Sequence, residues 1–184
     1  MKFAIEQRFR RSAHDVYEAY LDPALYDTFT GLPRLGEVKG LSCTDDGADV
    51  VVEAWYRFTA DLPPGAGRIV DRQRLTWVEE SRYRRSDLSG SFEIRPDHYR
   101  QLLRCAGTIS LEDAAPGAGT VRRVEGDLRL SLPLWARPMT GRAEGAVVDG
   151  LRVFLGAEVP VAEAFIDQKR RGARARRPPL WAPP

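Results

Sequence analysis

Cysteine and histidine are scarce in this chain, and neither is placed for chemistry. Cys43 and Cys105 stand apart, in no spacing that holds zinc or runs a redox couple. A disulfide framework and a metal centre are therefore not expected, and a reduced, cytoplasmic setting is. His14 and His98 are the only histidines, and neither makes a ligand pair with a cysteine. Long apolar runs are missing too. No window approaches the ~20 apolar residues of a membrane span. Met1 to Glu6 meets charge at once, so no signal peptide is expected. The glycine pairs Gly65-Ala66-Gly67 and Gly117-Ala118-Gly119 lack the Lys-Ser/Thr of a phosphate loop, and no Gly-x-Ser-x-Gly elbow occurs. No residue pattern requires a cofactor. Net charge is small as well, at +2. The stretch Lys169 to Pro184 contributes +6, which leaves −4 for the rest. A mildly acidic body argues against nucleic acid as a partner of the folded domain.

Pattern is what the chain does have. Its 184 residues suffice for one domain with a real core. Phe3, Ile5, Gln7 and Phe9 alternate with Lys2, Ala4, Glu6 and Arg8, the period of a strand with one apolar face. Ser12 to Asp15 reads as a helix start with Asp in the place of Glu or Gln. Asp22-Pro23 stops that helix and opens another, which Gly31 can end. Six strand patterns follow: 35–44, 48–60, 69–79, 88–94, 98–111 and 120–132. Short turns separate them, which favours an antiparallel meander, because parallel pairs need long crossovers. From Gly141 to about Arg170 the apolar residues step by threes and fours, as on one face of a long helix. Asp149, Arg152, Glu163 and Asp167 fall between them and are expected to face water. Pro160 removes a helical donor and crowds the carbonyl of Gly156, so a bend or break is expected there. The stretch 171–184 is rich in Arg, Ala and Pro and reads as a disordered tail. No internal repeat is present.

The run Ser12-Ala13-His14-Asp15-Val16-Tyr17-Glu18-Ala19-Tyr20-Leu21-Asp22-Pro23-Ala24-Leu25-Tyr26 carries a resemblance. It resembles the opening of the START-like superfamily, also called the helix-grip or birch-pollen-allergen-like fold. Within it the chain looks most similar to a domain family from high-GC bacteria to which no function is assigned. The likeness covers roughly residues 1–168. It implies an α+β fold in which a curved antiparallel sheet of about seven strands wraps a long C-terminal helix. It also implies a cavity between the two, which relatives use for lipids, sterols, polyketides or plant hormones. Some relatives catalyse cyclisation or aromatisation there. The superfamily shares no catalytic motif, so no catalytic residue is carried over by position.

The residues give the cavity idea a lining. A helix is ~10 Å wide with its side chains, and six or seven strands span roughly 25–30 Å. One helix cannot cover that width. Tyr56, Phe58, Trp77, Phe92, Tyr99, Leu103, Phe154 and Leu155 are the bulky residues expected to face inward, with Gln101 as the polar contact. Arg122 shares an apolar strand face but lies near a strand end, within reach of solvent. The function expected is therefore binding of a small hydrophobic or aromatic ligand. A cyclase, aromatase or dehydratase is the first alternative, favoured by an inward carboxylate, histidine or tyrosine with a shifted pKa. A protein-interaction module is the second, favoured by a filled interior and an exposed apolar patch. Nothing in the sequence specifies an oligomeric state.

Overall fold

The computed structural model describes residues 1–62, 65–114 and 117–175. The first strand, β1 (Lys2–Phe9), buries Phe3, Ile5, Gln7 and Phe9 and exposes the residues between them. Two short helices follow, α1 (Ala13–Tyr20) and α2 (Pro23–Asp27). Ser12 Oγ accepts from the Asp15 N–H at 3.2 Å and donates to the Asp15 carboxylate, which fills the N-cap of α1. Asp22 accepts from the Ala24 N–H at 2.9 Å, and Pro23 takes the first helical position of α2. The apolar sides of the pair, Val16, Tyr17, Tyr20, Leu25 and Tyr26, are buried.

Six strands then run as a meander: β2 (Leu35–Asp45), β3 (Asp49–Phe58), β4 (Thr76–Arg84), β5 (Ser89–Pro96), β6 (Leu103–Asp113) and β7 (Thr120–Leu130). All pairings are antiparallel, and β1 closes on β7, giving the order β1-β7-β6-β5-β4-β3-β2. Gly107 and Gly126 face each other across β6 and β7. A Cβ at Gly107 would lie 2.7 Å from the Phe92 ring, and one at Gly126 would lie 2.6 Å from the Phe3 ring. The two glycines thus make room for the aromatic rings that pack on the inner face. The last element is one helix, α3 (Thr140–Ala175), laid across that face. This is the α+β helix-grip architecture expected from the sequence.

Five local expectations are corrected. The strand expected over 69–79 begins only at Thr76, because Asp71 caps a 3₁₀ turn by accepting from the Gln73 N–H at 2.9 Å. The strand expected over 98–111 begins at Leu103, because Tyr99 has φ 58° and its carbonyl accepts from the Leu102 N–H in a turn. Thus Tyr99 and Gln101 lie before β6 rather than on its inner face. α3 runs unbroken through Gly156 and Pro160. Both residues are exposed, so the carbonyl that loses its donor sits on the outer side of the helix, open to solvent. Glu163, expected to face water, is buried. It accepts from the Arg10 N–H and, at 2.8 Å, from Arg10 Nη2. The helix also continues past Arg170 to Ala175. The rest of the expected tail, 176–184, lies outside the described residues.

Candidate functional site

The register assigns the inner face. Gln7 pairs with Arg122 across β1 and β7. On β4 the inward positions are Trp77, Glu79, Ser81 and Tyr83, opposite Tyr56, Ala54, Val52 and Val50 of β3. Two kinds of surface result: a buried polar network at the centre, and an apolar margin left partly uncovered at one end.

The network is built from β1, β4, β7, α1, α2 and α3. Arg122 is 3% exposed. It donates to Gln7 Oε1, and its guanidinium carbon lies 4.1 Å from the centre of the Tyr20 ring, a cation–π contact in a desolvated place. Gln7 Nε2 donates to the Leu155 carbonyl and, at 3.3 Å, to Glu158 Oε2. The Tyr20 hydroxyl donates to the same oxygen at 3.1 Å. The Tyr26 hydroxyl donates to the Tyr20 carbonyl at 3.2 Å. Burial pushes the Glu158 carboxyl up to about 7, and the Arg122 charge offsets that only in part. Burial likewise raises the Glu79 acid, against Arg122 and a 3.1 Å hydrogen bond from Ser81 Oγ. One guanidinium therefore favours the ionised form of two carboxyls that burial holds protonated. The Tyr83 hydroxyl and Arg122 Nε are buried without a hydrogen-bond partner.

The margin lies where α3 begins. Glu144, in the second turn of α3, accepts from the Leu130 N–H at 2.9 Å. Leu130 pairs with Leu103, and Trp77 with Pro96 at the same end of the sheet. Trp77, Ile94, Leu103 and Leu130, with Leu151 of α3, touch the core yet are only partly buried. Glu79, half-buried, is the inward carboxyl beside them. This is apolar surface with one convergent polar group, the usual composition of a small-molecule site.

The residues expected to line a cavity divide accordingly. Tyr56, Phe92, Phe154 and Leu155 are buried in the core. Tyr56 stacks on Trp77 at 5.4 Å and meets Phe154 edge-on at 6.0 Å, so aromatic rings fill the middle of the space where a cavity is expected. Trp77 and Leu103 lie on the margin. Phe58 is half-buried near the edge of the sheet. Tyr99 accepts from the Asp71 N–H at 2.9 Å and ties two loops together. Gln101 is exposed. Glu79 and Glu158 carry no local sequence signal that singles them out, and Arg122 lies deeper than its place near a strand end suggests.

Other candidates fall away. His14 and His98 are exposed. Burial drives the Cys105 thiol up to about 12, far from a reactive thiolate. A surface cleft of about 330 Å³ is lined by Arg11, Asp167, Arg170 and Arg171. Arg11 is paired there with Asp167 and Arg170 with Asp15, so the cleft suits no apolar ligand.

No protein-family model and no curated protein matches the chain. Solved structures do match. TTHA0849 from Thermus thermophilus aligns at TM-score 0.64 and 14% identity, covering 89% of this chain and 98% of that one. The Zhui aromatase/cyclase from a Streptomyces species aligns at 0.58 and 11%, covering 94% and 96%. Norcoclaurine synthase from Thalictrum flavum aligns at 0.56 and 13%, covering 91% and 87%. At such identities the likeness is one of fold, and it spans nearly the whole chain: this protein has a helix-grip fold.

Proposed function

We propose that the protein binds a small, mainly apolar molecule at the open margin between α3 and the sheet. The observation that carries this reading is the row of inward-facing, half-buried side chains, Trp77, Ile94, Leu103, Leu130 and Leu151, around the Glu79 carboxyl. Apolar area left accessible on an inner face is area a ligand can remove from water. The ligand class is a lipid-like or aromatic, polyketide-like molecule bearing one group that hydrogen-bonds to Glu79. Two fold neighbours named as an aromatase/cyclase and a norcoclaurine synthase support small organic molecules as the general class. Titration with fatty acids, sterols, flavonoids and aromatic polyketides tests it through tryptophan fluorescence. Three further tryptophans, Trp55, Trp135 and Trp181, also emit, so the response must vanish in Trp77→Phe while calorimetry still shows binding. Leu103→Glu should abolish binding at an unchanged fold. If no class binds, the reading fails.

A second reading rests on the raised acids. A half-buried carboxyl that holds its proton more tightly than usual, placed beside an apolar surface, can donate to a carbonyl or take a proton next to one. That is the requirement of cyclisation and dehydration on a polyketide-like substrate. Glu79→Gln should then keep binding and lose turnover.

A further inference from the structure

The connection from β7 to α3 carries large apolar side chains outward. Its short 3₁₀ turn, Leu134–Met139, is anchored by Ala136, which is 1% exposed. Beside that anchor Leu134 is 76% exposed, Trp135 61% and Met139 47%. Singly exposed apolar residues need no explanation, but two held outward by a buried neighbour on one tight turn do. From Ser131 to Arg142 the chain has two arginines, Arg137 and Arg142, and no acid. The Ser131 N–H donates to the Leu102 carbonyl at 2.9 Å, which sets the turn at the same end of the sheet as Arg100 and Arg104. All four arginines are exposed. Among the described residues none of them has a carboxylate within ion-pair distance, whereas Arg10, Arg11 and Arg170 at the far end of α3 are all paired.

We propose that this end of the molecule docks peripherally on an anionic lipid surface. Leu134 and Trp135 enter the headgroup region, and Arg100, Arg104, Arg137 and Arg142 meet the lipid phosphates. An indole settles at the boundary between apolar chains and polar headgroups, and a guanidinium matches phosphate oxygens. Basic residues close to an anionic leaflet add attraction that salt screens. A second copy of this chain fits less well, since a two-fold contact centred here sets arginine against arginine. No helix among the described residues is long and apolar enough to cross a membrane, so the contact is one of surface and turn. The turn adjoins Leu103 and Leu130, so on a docked molecule the open margin lies close to the bilayer. The docking goes beyond the ligand reading and stands or falls without it.

Co-sedimentation of the full chain with phosphatidylserine–phosphatidylcholine vesicles, against phosphatidylcholine alone, tests the proposal. Binding is expected only to the anionic vesicles, and it should be lost at about 0.5 M salt. The paired change Leu134→Ser/Trp135→Ser alters exposed side chains, so its melting temperature should hold while its vesicle affinity falls about tenfold or more. Arg137→Glu/Arg142→Glu should weaken binding by about tenfold at low salt. The proposal is overturned if the parent chain ignores anionic vesicles. It is equally overturned if Leu134→Ser/Trp135→Ser binds as well as the parent, because the basic stretch after Lys169 would then be the anchor. A dimer seen by light scattering and abolished by the same paired change would also overturn it, by giving the patch to a protein partner.

Discussion

Glu158 occupies a position that the spacing of α3 reserves for an apolar side chain. Leu151, Leu155 and Ala162 share its stripe and pack on the core, yet its carboxyl lies among Gln7, Tyr20 and the Arg122 charge. Its folded pKa, about 7, stands above the ordinary 4.5. The fold therefore binds this proton more tightly than the unfolded chain does. Its stabilising contribution is complete below about 4.5 and is lost as pH rises through about 7, by roughly 3 kcal/mol in all. Carboxylates held by arginines, such as Glu163 and Asp167, act in the opposite sense, because their acids lie below the usual range. The difference between parent and Glu158→Gln isolates the one group. Melting curves at pH 5 and pH 8 should show a smaller loss of stability on raising pH in Glu158→Gln than in the parent (about 3 kcal/mol less at most). Equal losses would show that the carboxyl ionises freely. These residues were visible beforehand in one sense: Gln7, Arg122 and Glu158 are each a polar residue on an apolar stripe. Each stripe by itself permits a harmless reading, a strand end or a solvated turn. Only the pairing of β1 with β7, beneath α3, shows that the three exceptions meet.

At the scale of elements, the helix starts were legible because caps are local. Ser12 and Asp22 mark α1 and α2, and each makes the hydrogen bond its position requires. The strands adjoining long connections were misplaced because alternation does not show where pairing stops. Leu75 continues the apolar period of β4, and its carbonyl still accepts from the Phe58 N–H at 2.9 Å, but the turn capped by Asp71 takes up the residues before it. The same limit removed Tyr99 and Gln101 from the expected lining. The break expected in α3 failed for a different reason. A proline's cost depends on which side of the helix it occupies, and Pro160 faces outward. Its missing donor remains a defect, so Pro160→Ala should raise stability by about 1–2 kcal/mol in urea unfolding, the helix gain less the entropy returned to the unfolded chain. A loss of stability would instead show that the ring sets a curvature that the sheet requires.

For the molecule as a whole, the order of elements and the two-layer architecture were legible, since hydrophobic period and turn spacing already specify a meander closed by one helix. The interior was not, because the space between sheet and helix is decided by how aromatic rings stack. Tyr56, Trp77 and Phe154 fill what pattern alone leaves open. The closure of β1 on β7 has a consequence in time. Strands β2 to β7 form by successive neighbouring hairpins, whereas Phe9 finds Thr120 and Lys2 finds Asp127 across most of the chain. The entropy of closing that loop falls on the last strand to join. Ile5→Val, which removes one buried methyl from β1 at a cost of about 1 kcal/mol, should then speed unfolding and leave the refolding rate almost unchanged. Ile109→Val, inside the meander on β6, should slow refolding. The first strand made is, on this topology, the last to be used, and a nascent chain must keep Phe3, Ile5 and Phe9 from other partners until β7 has emerged.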